Sequence, residues 1–254
     1  RAARPGRRGG PIMRRVLAAA GRLLALCLLA GMSLQLYFLL RIALMAVVDP
    51  QSTTFQRAEI ARILTEKGEL PWRQTWRDYD QISDHLKRAV IASEDAGFTE
   101  HDGVDWDAIE RAWERNQRAQ ELAARRGQAR PAKIVGGSTI TQQLAKNLFL
   151  SGERSFLRKG QEFVITFMLE AVLDKRRILE IYLNHVEWGD GVFGAEAAAQ
   201  HYFRTGADRL TPQQAARLAV MLPAPKRYEQ RPGSAYLLGR AATIRARMGA
   251  VQLP

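Results

Sequence analysis

Three clusters of polar residues in this chain could together remove a proton from a hydroxyl group and bind an anion. The first cluster contains Glu94, Asp95, Phe98, His101, Gly103 and Asp105. The second, residues 136–147, opens with two glycines and continues with Ser138, Thr139, Gln142, Gln143, Lys146 and Asn147. The third contains Arg158, Lys159 and Glu162. A carboxylate can act as a general base, and basic side chains can stabilise a negatively charged leaving group.

The second cluster has the features of a helix N-terminus that attracts an anion. Its two glycines allow the backbone to approach a ligand, and the free N–H groups at a helix start carry partial positive charge. A helix through this run would place Thr139, Gln143 and Lys146 on one face. The alternative is a capping box, with Thr139 as N-cap and Gln142 three residues later, which only begins the helix. For residues 136–139 alone, the capping box is the favoured interpretation.

The other two clusters also have purely structural alternatives. Glu94 and Asp95 could simply end a helix, although acidic residues at a helix C-terminus oppose the helix dipole. Arg158 and Glu162 are four residues apart, a spacing typical of a surface ion pair that contributes little stability. His101 is one of four histidines, and their positions predict no metal site.

Taken together and in this order, the three clusters resemble the motifs of the peptidoglycan glycosyltransferases of glycosyltransferase family 51, which polymerise lipid II. Two later stretches, residues 175–184 and 191–203, agree with this, and the resemblance extends from about Asp80 to Tyr228. No serine is followed three residues later by lysine, so the sequence shows no penicillin-binding transpeptidase nucleophile. The chain therefore resembles the monofunctional biosynthetic transglycosylases of that family.

The resemblance implies roles for the charged residues. Glu94 matches the family's catalytic base, and burial or the neighbouring Asp95 would raise its pKa toward the working pH. Glu162 matches the second essential glutamate, near the donor. The residues expected to face the donor's pyrophosphate and sugar are Lys146, Arg158 and Lys159. The other expected substrate-binding residues are Asp95, Phe98, His101, Ser138, Thr139, Gln142, Gln143 and Asn147.

Three further expectations concern the scaffold around the site. Phe98 and Gly103 should fix the loop that presents Glu94. Residues of the later motifs should serve mainly as scaffold; they are Glu170, Glu180, Tyr182 and Asn184. The resemblance also implies a mainly α fold with a lysozyme-like helical glycosyltransferase domain.

The implied reaction is inverting: an α-linked lipid pyrophosphate donor yields a β-1,4-linked glycan and releases undecaprenyl pyrophosphate. No cofactor is certain, and a divalent cation, Mg²⁺ or Mn²⁺, at the pyrophosphate is the candidate. Expected partners are lipid II, the growing glycan strand and the lipid bilayer; other cell-wall synthesis or division proteins are further candidates, and nucleic acid is not expected. The alternatives are a lysozyme-like lytic enzyme and a non-catalytic membrane scaffold. Strand cleavage has no pyrophosphate to stabilise, and intact Glu94 and Glu162 argue against a scaffold.

An apolar segment before these clusters predicts on which side of a membrane they lie. Residues 23–40 are uncharged and apolar, and residues 42–48 extend the run past Arg41, which predicts one transmembrane helix. Arginines precede the run and no acidic residue occurs before Asp49, which predicts a cytoplasmic N-terminus and a periplasmic or extracytoplasmic catalytic domain at the bacterial inner membrane. A cleaved signal peptide is disfavoured because no Ala-x-Ala site follows. The predicted boundaries are a basic N-terminus (1–22), an anchor (23–48) and one domain (49–254).

Composition and patterning predict a helical domain without disulfides. The only cysteine, Cys27, lies in the apolar run, and the net charge of +12 suits anionic headgroups and pyrophosphate lipids. Residues 111–133 should form an exposed helix and a mobile loop. Trp72 and Trp76 could lie at the bilayer interface or in the core, and the sequence favours neither. Helices are predicted at 57–66, 81–94, 106–126, 139–147, 156–174, 176–185, 194–202, 212–222 and 234–248.

Overall fold

The computed structural model describes residues 11–125, 137–150, 152 and 155–254. Its helices are α1 (Pro11–Met45), α2 (Thr54–Lys67), α3 (Asp84–Glu94), α4 (Trp106–Arg125), α5 (Ile140–Phe149), α6 (Phe156–Val172), α7 (Lys175–His185), α8 (Ala195–Phe203), α9 (Pro212–Ala219), α10 (Pro225–Glu229) and α11 (Ala235–Arg247). Its strands are β1 (Arg73–Gln74), β2 (Glu187–Gly189) and β3 (Val192–Phe193). The predicted mainly α fold is confirmed.

The first of two compact units ends at Arg41 and consists largely of α1. Residues 13–45 are long and apolar enough to cross a membrane, with a mean hydropathy of 2.2. A single N-terminal apolar helix compatible with a single-pass membrane anchor is therefore present. The helix begins at Pro11, earlier than the predicted anchor, so that part of the arginine-rich segment is helical.

The second unit begins at Ile42. Ile42 and Met45, in the last turns of α1, are buried. The domain boundary at Asp49 stays a prediction. In this unit α3 packs against α9 and α11, while α5 packs against α2, α6 and α7. The largest fully buried side chains include Phe98, Tyr182 and Trp188. Burying a large apolar side chain contributes about 1.5–3 kcal/mol to the stability of the fold. The polar clusters described below lie on the helices that form this core.

A small sheet with the strand order β1-β3-β2 was not predicted from the sequence. β1 is parallel to β3, and β2 is antiparallel to β3 with an irregular register. Strands of two or three residues show no alternation that a sequence pattern could reveal. Gly191 lies in the turn between β2 and β3 at φ 79°, and a Cβ atom there would lie 2.2 Å from the carbonyl oxygen of Pro71. Only glycine fits this position.

The predicted helices agree with the structure apart from their ends and one omission. α10 was missed because five residues are too few for a helical period. The prediction that began a helix at Gln81 merged a 3₁₀ turn with α3, whose N-cap is Ser83. Residues 106–125 form the expected exposed helix, and the expected loop at 126–133 lies outside the described residues.

Candidate active site

Glu94 is the last residue of α3 and lines a cavity of about 780 Å³. The cavity is bounded by the loop after α3, the start of α4 and residues 137–139 before α5. Both glutamate oxygens accept hydrogen bonds, from Gln143 Nε2 at 3.0 Å and from Ser93 Oγ at 3.2 Å. Glu94 is thus fixed at the edge of a space large enough for a substrate.

Tyr182 determines the orientation of the amide that contacts Glu94. The buried Tyr182 hydroxyl donates to Gln143 Oε1 at 2.9 Å, so the amide nitrogen of Gln143 faces the Glu94 carboxylate. Burial and the charges of Glu94 and Asp95 raise the pKa of Tyr182, which keeps the hydroxyl protonated as a donor. Tyr182 was expected to serve mainly as scaffold, and it also orients the Gln143 amide that contacts Glu94.

Burial is the largest influence on Glu94, and it raises the pKa of this carboxyl. The hydrogen bonds from Gln143 and Ser93 lower the pKa and oppose burial, while the charge of Asp95 adds a smaller increase. The expected direction is confirmed, and burial contributes more than the neighbouring carboxylate. A carboxylate with a raised pKa is a stronger base than an ordinary one.

The α5 N-terminus binds an anionic side chain, Asp95, whereas the sequence predicted an anionic ligand at this position. One Asp95 oxygen accepts the Ile140 N–H at 3.0 Å, and the other lies 2.8 Å from His101 Nε2. Burial alone would lower the pKa of His101, but the hydrogen bond and charge of Asp95 outweigh it and raise this pKa. Through these two contacts, Asp95 links the end of α3 to the start of α5 and to the intervening loop, beside Glu94.

The loop after Glu94 is held by buried contacts, which confirms the expectation for Phe98 and Gly103. Phe98 is fully buried, with Lys175 Nζ 4.7 Å from its ring centre. Gly103 adopts φ 82°, and a Cβ atom there would lie 2.7 Å from Thr166 Cγ2. Lys175 also donates to the His101 carbonyl at 2.6 Å and to Glu170 at 2.8 Å. Phe98 thus supports the site without facing the cavity.

The predicted capping box at the start of α5 is present. Thr139 Oγ1 accepts the Gln142 N–H, and Gln142 Oε1 accepts the Thr139 N–H, both at 3.2 Å. Thr139 precedes the helix and its hydroxyl donates to the Gly103 carbonyl, so it does not share the exposed face of Lys146. Gln142 and Asn147 are also buried, whereas Ser138 is exposed at the cavity.

A basic group lies about one helical turn farther along α5 from Gln143. Lys146 is exposed there, and its charge interacts with those of Glu162, Arg158 and Lys159 on α6. Partial dehydration of its amine by surrounding protein atoms lowers the pKa of Lys146, and the charge of Glu162 opposes this shift.

Glu162 holds this basic group in place, because its side chain is only 4% exposed and accepts hydrogen bonds from two cationic side chains. Arg158 Nη1 donates at 2.9 Å and Lys159 Nζ donates to the other oxygen. Arg158 Nε is buried and lacks an acceptor within the described part of the chain. The Arg158–Glu162 pair is therefore more buried than the ordinary surface ion pair that its spacing alone suggests.

Several cavity residues were not anticipated from the sequence. Ser93 donates a hydrogen bond to Glu94, and the unanticipated residues of the cavity wall include Trp106, Arg111, Arg115 and Arg247. The arginines come from α4 and α11, far apart in the chain, so that no local spacing links them to Glu94.

Two groups of described side chains have a geometry that could hold a metal ion, although the sequence predicted none. They are Asp95, His101 and Asp105, and Glu59, Glu187 and Asp190. In the first group Asp105 also caps α4 by accepting the Ala108 N–H at 2.7 Å. In the second group, Arg62 and Lys226 form ion pairs with the carboxylates. Both groups thus already serve structural contacts.

Comparison with known proteins finds relatives along most of the chain. The family model described as transglycosylase matches residues 61–249. A protein named biosynthetic peptidoglycan transglycosylase from Bordetella pertussis is 55% identical over 220 residues, covering 87% of this chain and 88% of the relative. One of the same name from Burkholderia thailandensis is 53% identical over 253 residues, covering 100% and 92%. Another, from Paraburkholderia phytofirmans, is 51% identical over 230 residues, covering 91% of each.

Proposed function

The chain belongs to the transglycosylase family and functions as a peptidoglycan transglycosylase, and we propose that it polymerises lipid II into β-1,4-linked glycan strands. The observation that carries this proposal is the pairing of two environments along α5. The Glu94 carboxylate, which accepts a hydrogen bond from Gln143 and has a raised pKa, lines a large cavity. One turn later, Lys146 adjoins the cations of α6. A proton acceptor and an anion-binding group at this separation suit transfer of a sugar from a pyrophosphate donor.

Glu94 acts as the general base in the proposed reaction. Its carboxylate takes the proton from the 4-hydroxyl of the acceptor sugar, and the hydroxyl oxygen forms a bond to the donor's anomeric carbon. The bond between that carbon and the pyrophosphate oxygen breaks, and the pyrophosphate leaves with the electron pair, still attached to the undecaprenyl chain. Attack from the face opposite the leaving group inverts an α donor into a β product. The growing strand is the donor and lipid II the acceptor.

Lys146, Arg158 and Lys159 stabilise the negative charge of the departing pyrophosphate. The planar guanidinium of Arg158 can present a second donor, since its buried Nε has no acceptor among the residues described. Glu162 positions Arg158 and Lys159 through its two ion pairs and does not accept the acceptor's proton. The two glutamates thus have separate tasks.

A divalent cation at the pyrophosphate is retained only as a prediction. The carboxylate that the described residues place beside Lys146 is Glu162, and both of its oxygens are engaged by cations. This donor set does not fit a metal ion well, because a hard cation prefers several free oxygen ligands. The proposed steps therefore use the basic side chains and no metal.

The proposed setting is the bacterial inner membrane, with α1 as a single-pass anchor. The arginine-rich segment before the apolar run favours a cytoplasmic N-terminus, which places the catalytic unit on the periplasmic side. Lipid II and undecaprenyl pyrophosphate are membrane lipids, so an anchored enzyme meets its substrate at the bilayer surface. Other cell-wall synthesis or division proteins are proposed as partners, because they would act at the same membrane surface.

Polymerisation of fluorescent lipid II by the full chain in detergent tests the proposal. Products are resolved on a gel before and after muramidase digestion, for wild type, Glu94→Gln and Glu162→Gln. We expect a muramidase-sensitive ladder from wild type and none from either variant at the same enzyme concentration and reaction time. Glu66→Gln, at an exposed position on α2, is the matched control and should keep the ladder.

Other outcomes distinguish the alternatives. Release of fragments from purified wall without a ladder would indicate a lytic enzyme, and neither activity from folded protein would indicate a scaffold. Retention of the α configuration in the product, read by NMR, would contradict the single-displacement mechanism.

A further inference from the structure

A second, smaller cavity of about 290 Å³ is lined by residues that do not border the Glu94 cavity. The lining residues are Asp49, Pro50, Gln51, Trp72, Gln74 and Trp76. Polar atoms make up most of the accessible lining, and the two tryptophan rings provide its aromatic surfaces. Aromatic rings beside hydrogen-bonding groups suit a small polar ligand that has an apolar face.

Both tryptophan rings are fixed by contacts with the core. The Trp72 ring stacks on Phe193 of β3, with ring centres 4.5 Å apart and planes inclined by 22°. The Trp76 ring packs edge-on against the buried His185, with centres 5.8 Å apart. Both tryptophans are half-buried, so each is partly a core residue and partly a cavity wall. Rigid aromatic walls bind a ligand with little loss of conformational entropy.

The polar groups of the cavity include a donor that a ligand could satisfy. Trp76 Nε1–H is buried and has no acceptor in the ranges that the structure describes. Gln74 Nε2 lies 3.3 Å from the Asn184 carbonyl and 3.2 Å from His185 Nδ1, which fixes its amide. A buried donor without an acceptor is unfavourable, and a hydrogen bond from Trp76 Nε1 to an oxygen of a ligand would remove this cost.

The charges around the cavity argue against an ionic ligand. Asp49 is the charged lining residue, and it accepts from Arg177 Nη2 at 2.7 Å. The Arg177 guanidinium also lies 5.4 Å from the centre of the Trp76 ring. The charges of Asp49 and Arg177 offset each other in this ion pair, so the cavity favours neither an anion nor a cation. Burial lowers the pKa of His185 to about 4, so this neighbour is uncharged at neutral pH.

A neutral ligand with a flat apolar face and oxygens at its rim matches these features. A β-linked pyranose has this form, since its ring C–H groups form an apolar face and its hydroxyls project around the edge. Such C–H groups pack favourably on the electron-rich face of an aromatic ring. We propose that the Trp72–Trp76 cavity binds a neutral pyranose unit of a β-1,4-linked glycan, at a saccharide site separate from the Glu94 cavity.

Saturation-transfer NMR with chitotetraose tests this proposal directly, using the full chain in a polyoxyethylene detergent without sugar headgroups. Aromatic protons of the protein are irradiated and transfer to the sugar ring protons is measured. We compare Trp76→Leu with Trp113→Leu, which removes an exposed tryptophan of α4 that lines neither cavity. The affinity for chitotetraose should be unchanged in Trp113→Leu and should fall about 10-fold or more in Trp76→Leu.

A blocking variant keeps the test valid if Trp76→Leu is unstable. Gln51 is exposed at the cavity, so Gln51→Trp should fill the space without disturbing the core and should lower the affinity for chitotetraose as Trp76→Leu does. Absence of signal in wild type, an affinity unchanged in both Trp76→Leu and Gln51→Trp, or displacement of the sugar by choline or inorganic phosphate would each overturn the proposal. The assay contains no lipid II, so its result is independent of the polymerisation test.

Discussion

The two regions around Glu94 and Glu162 contain the same type of side chain in opposite electrostatic surroundings. Glu94 ends α3 and receives hydrogen bonds from an amide and a hydroxyl. Glu162 lies within α6 and receives its hydrogen bonds from a guanidinium and an ammonium. Burial raises the pKa of Glu94 despite the hydrogen bonds from its two neutral donors, whereas Glu162 is held in two ion pairs. Burial without a cationic hydrogen-bond donor thus suits Glu94 as a base, while two cationic partners suit Glu162 as a positioning group.

The largest expected effect is on Glu94→Gln, which keeps the shape of the side chain and removes the base. Polymerisation should fall by about 10²–10⁴-fold, the usual contribution of a general base. The melting temperature should stay the same or rise, because the variant no longer contains a buried carboxylate. Calorimetry and the lipid II assay measure the two quantities. A variant that retained most of its activity would remove Glu94 from the proposed role.

The second effect, for Glu162→Gln, should combine a loss of rate with a loss of stability. The variant leaves Arg158 and Lys159 without a carboxylate partner, and breaking a buried ion pair is destabilising. We expect a rate decrease of about 10²-fold and a melting temperature lower by several degrees. The two glutamates are then distinguished by stability, since only the Glu162 substitution should reduce it. Equal melting temperatures for the two variants would contradict this distinction.

A smaller effect is expected from Gln143→Leu, which removes a hydrogen bond that lowers the pKa of Glu94. The acidic limb of the pH–rate profile should move to higher pH, because the variant lacks a hydrogen bond to the charged form that contributes about 1.5–3 kcal/mol. Tyr182→Phe should produce a smaller shift in the same direction by releasing the amide orientation. A downward shift in either variant would show that this hydrogen-bond chain does not act on Glu94.

The smallest effect concerns Glu187, which belongs to the separate Glu59–Asp190 cluster. Glu187 is buried, whereas Glu94 is half-buried, and Glu187 lies near a lysine, as Glu162 does. Burial raises the pKa of Glu187 to about 7, although Lys226 opposes the shift. Between pH 4.5 and 7 the unfolded chain loses this proton while the folded protein keeps it, so stability falls as pH rises.

Glu187→Gln should remove that pH dependence without affecting polymerisation. Its melting temperature should exceed that of wild type by a few degrees at pH 8 and approach it near pH 4. Thermal unfolding measured across this pH range provides the test. A variant that is less stable at pH 8 would show that the ion pair with Lys226 outweighs the burial of the charge.

Local features of the fold were predictable from the sequence, and contacts between distant segments were not. The Thr139–Gln142 capping box depends on residues three positions apart, so a pattern reveals it. Asp95 and Ile140 are 45 positions apart, and Tyr182 and Gln143 are 39 apart. No spacing rule connects such pairs, because packing of α3, α5 and α7 brings them together. The same reason explains why the cavity arginines and the short sheet were missed.

The pH dependence of the initial polymerisation rate at low lipid II concentration tests the division of labour between the two glutamates most directly. It is measured for wild type and for Glu162→Gln. We predict that both proteins lose activity on the acid side through one group with an apparent pKa above the ordinary carboxyl value, and that the variant differs only in its lower plateau. Loss of this limb in Glu162→Gln, or its absence in wild type, would contradict Glu94 as the base.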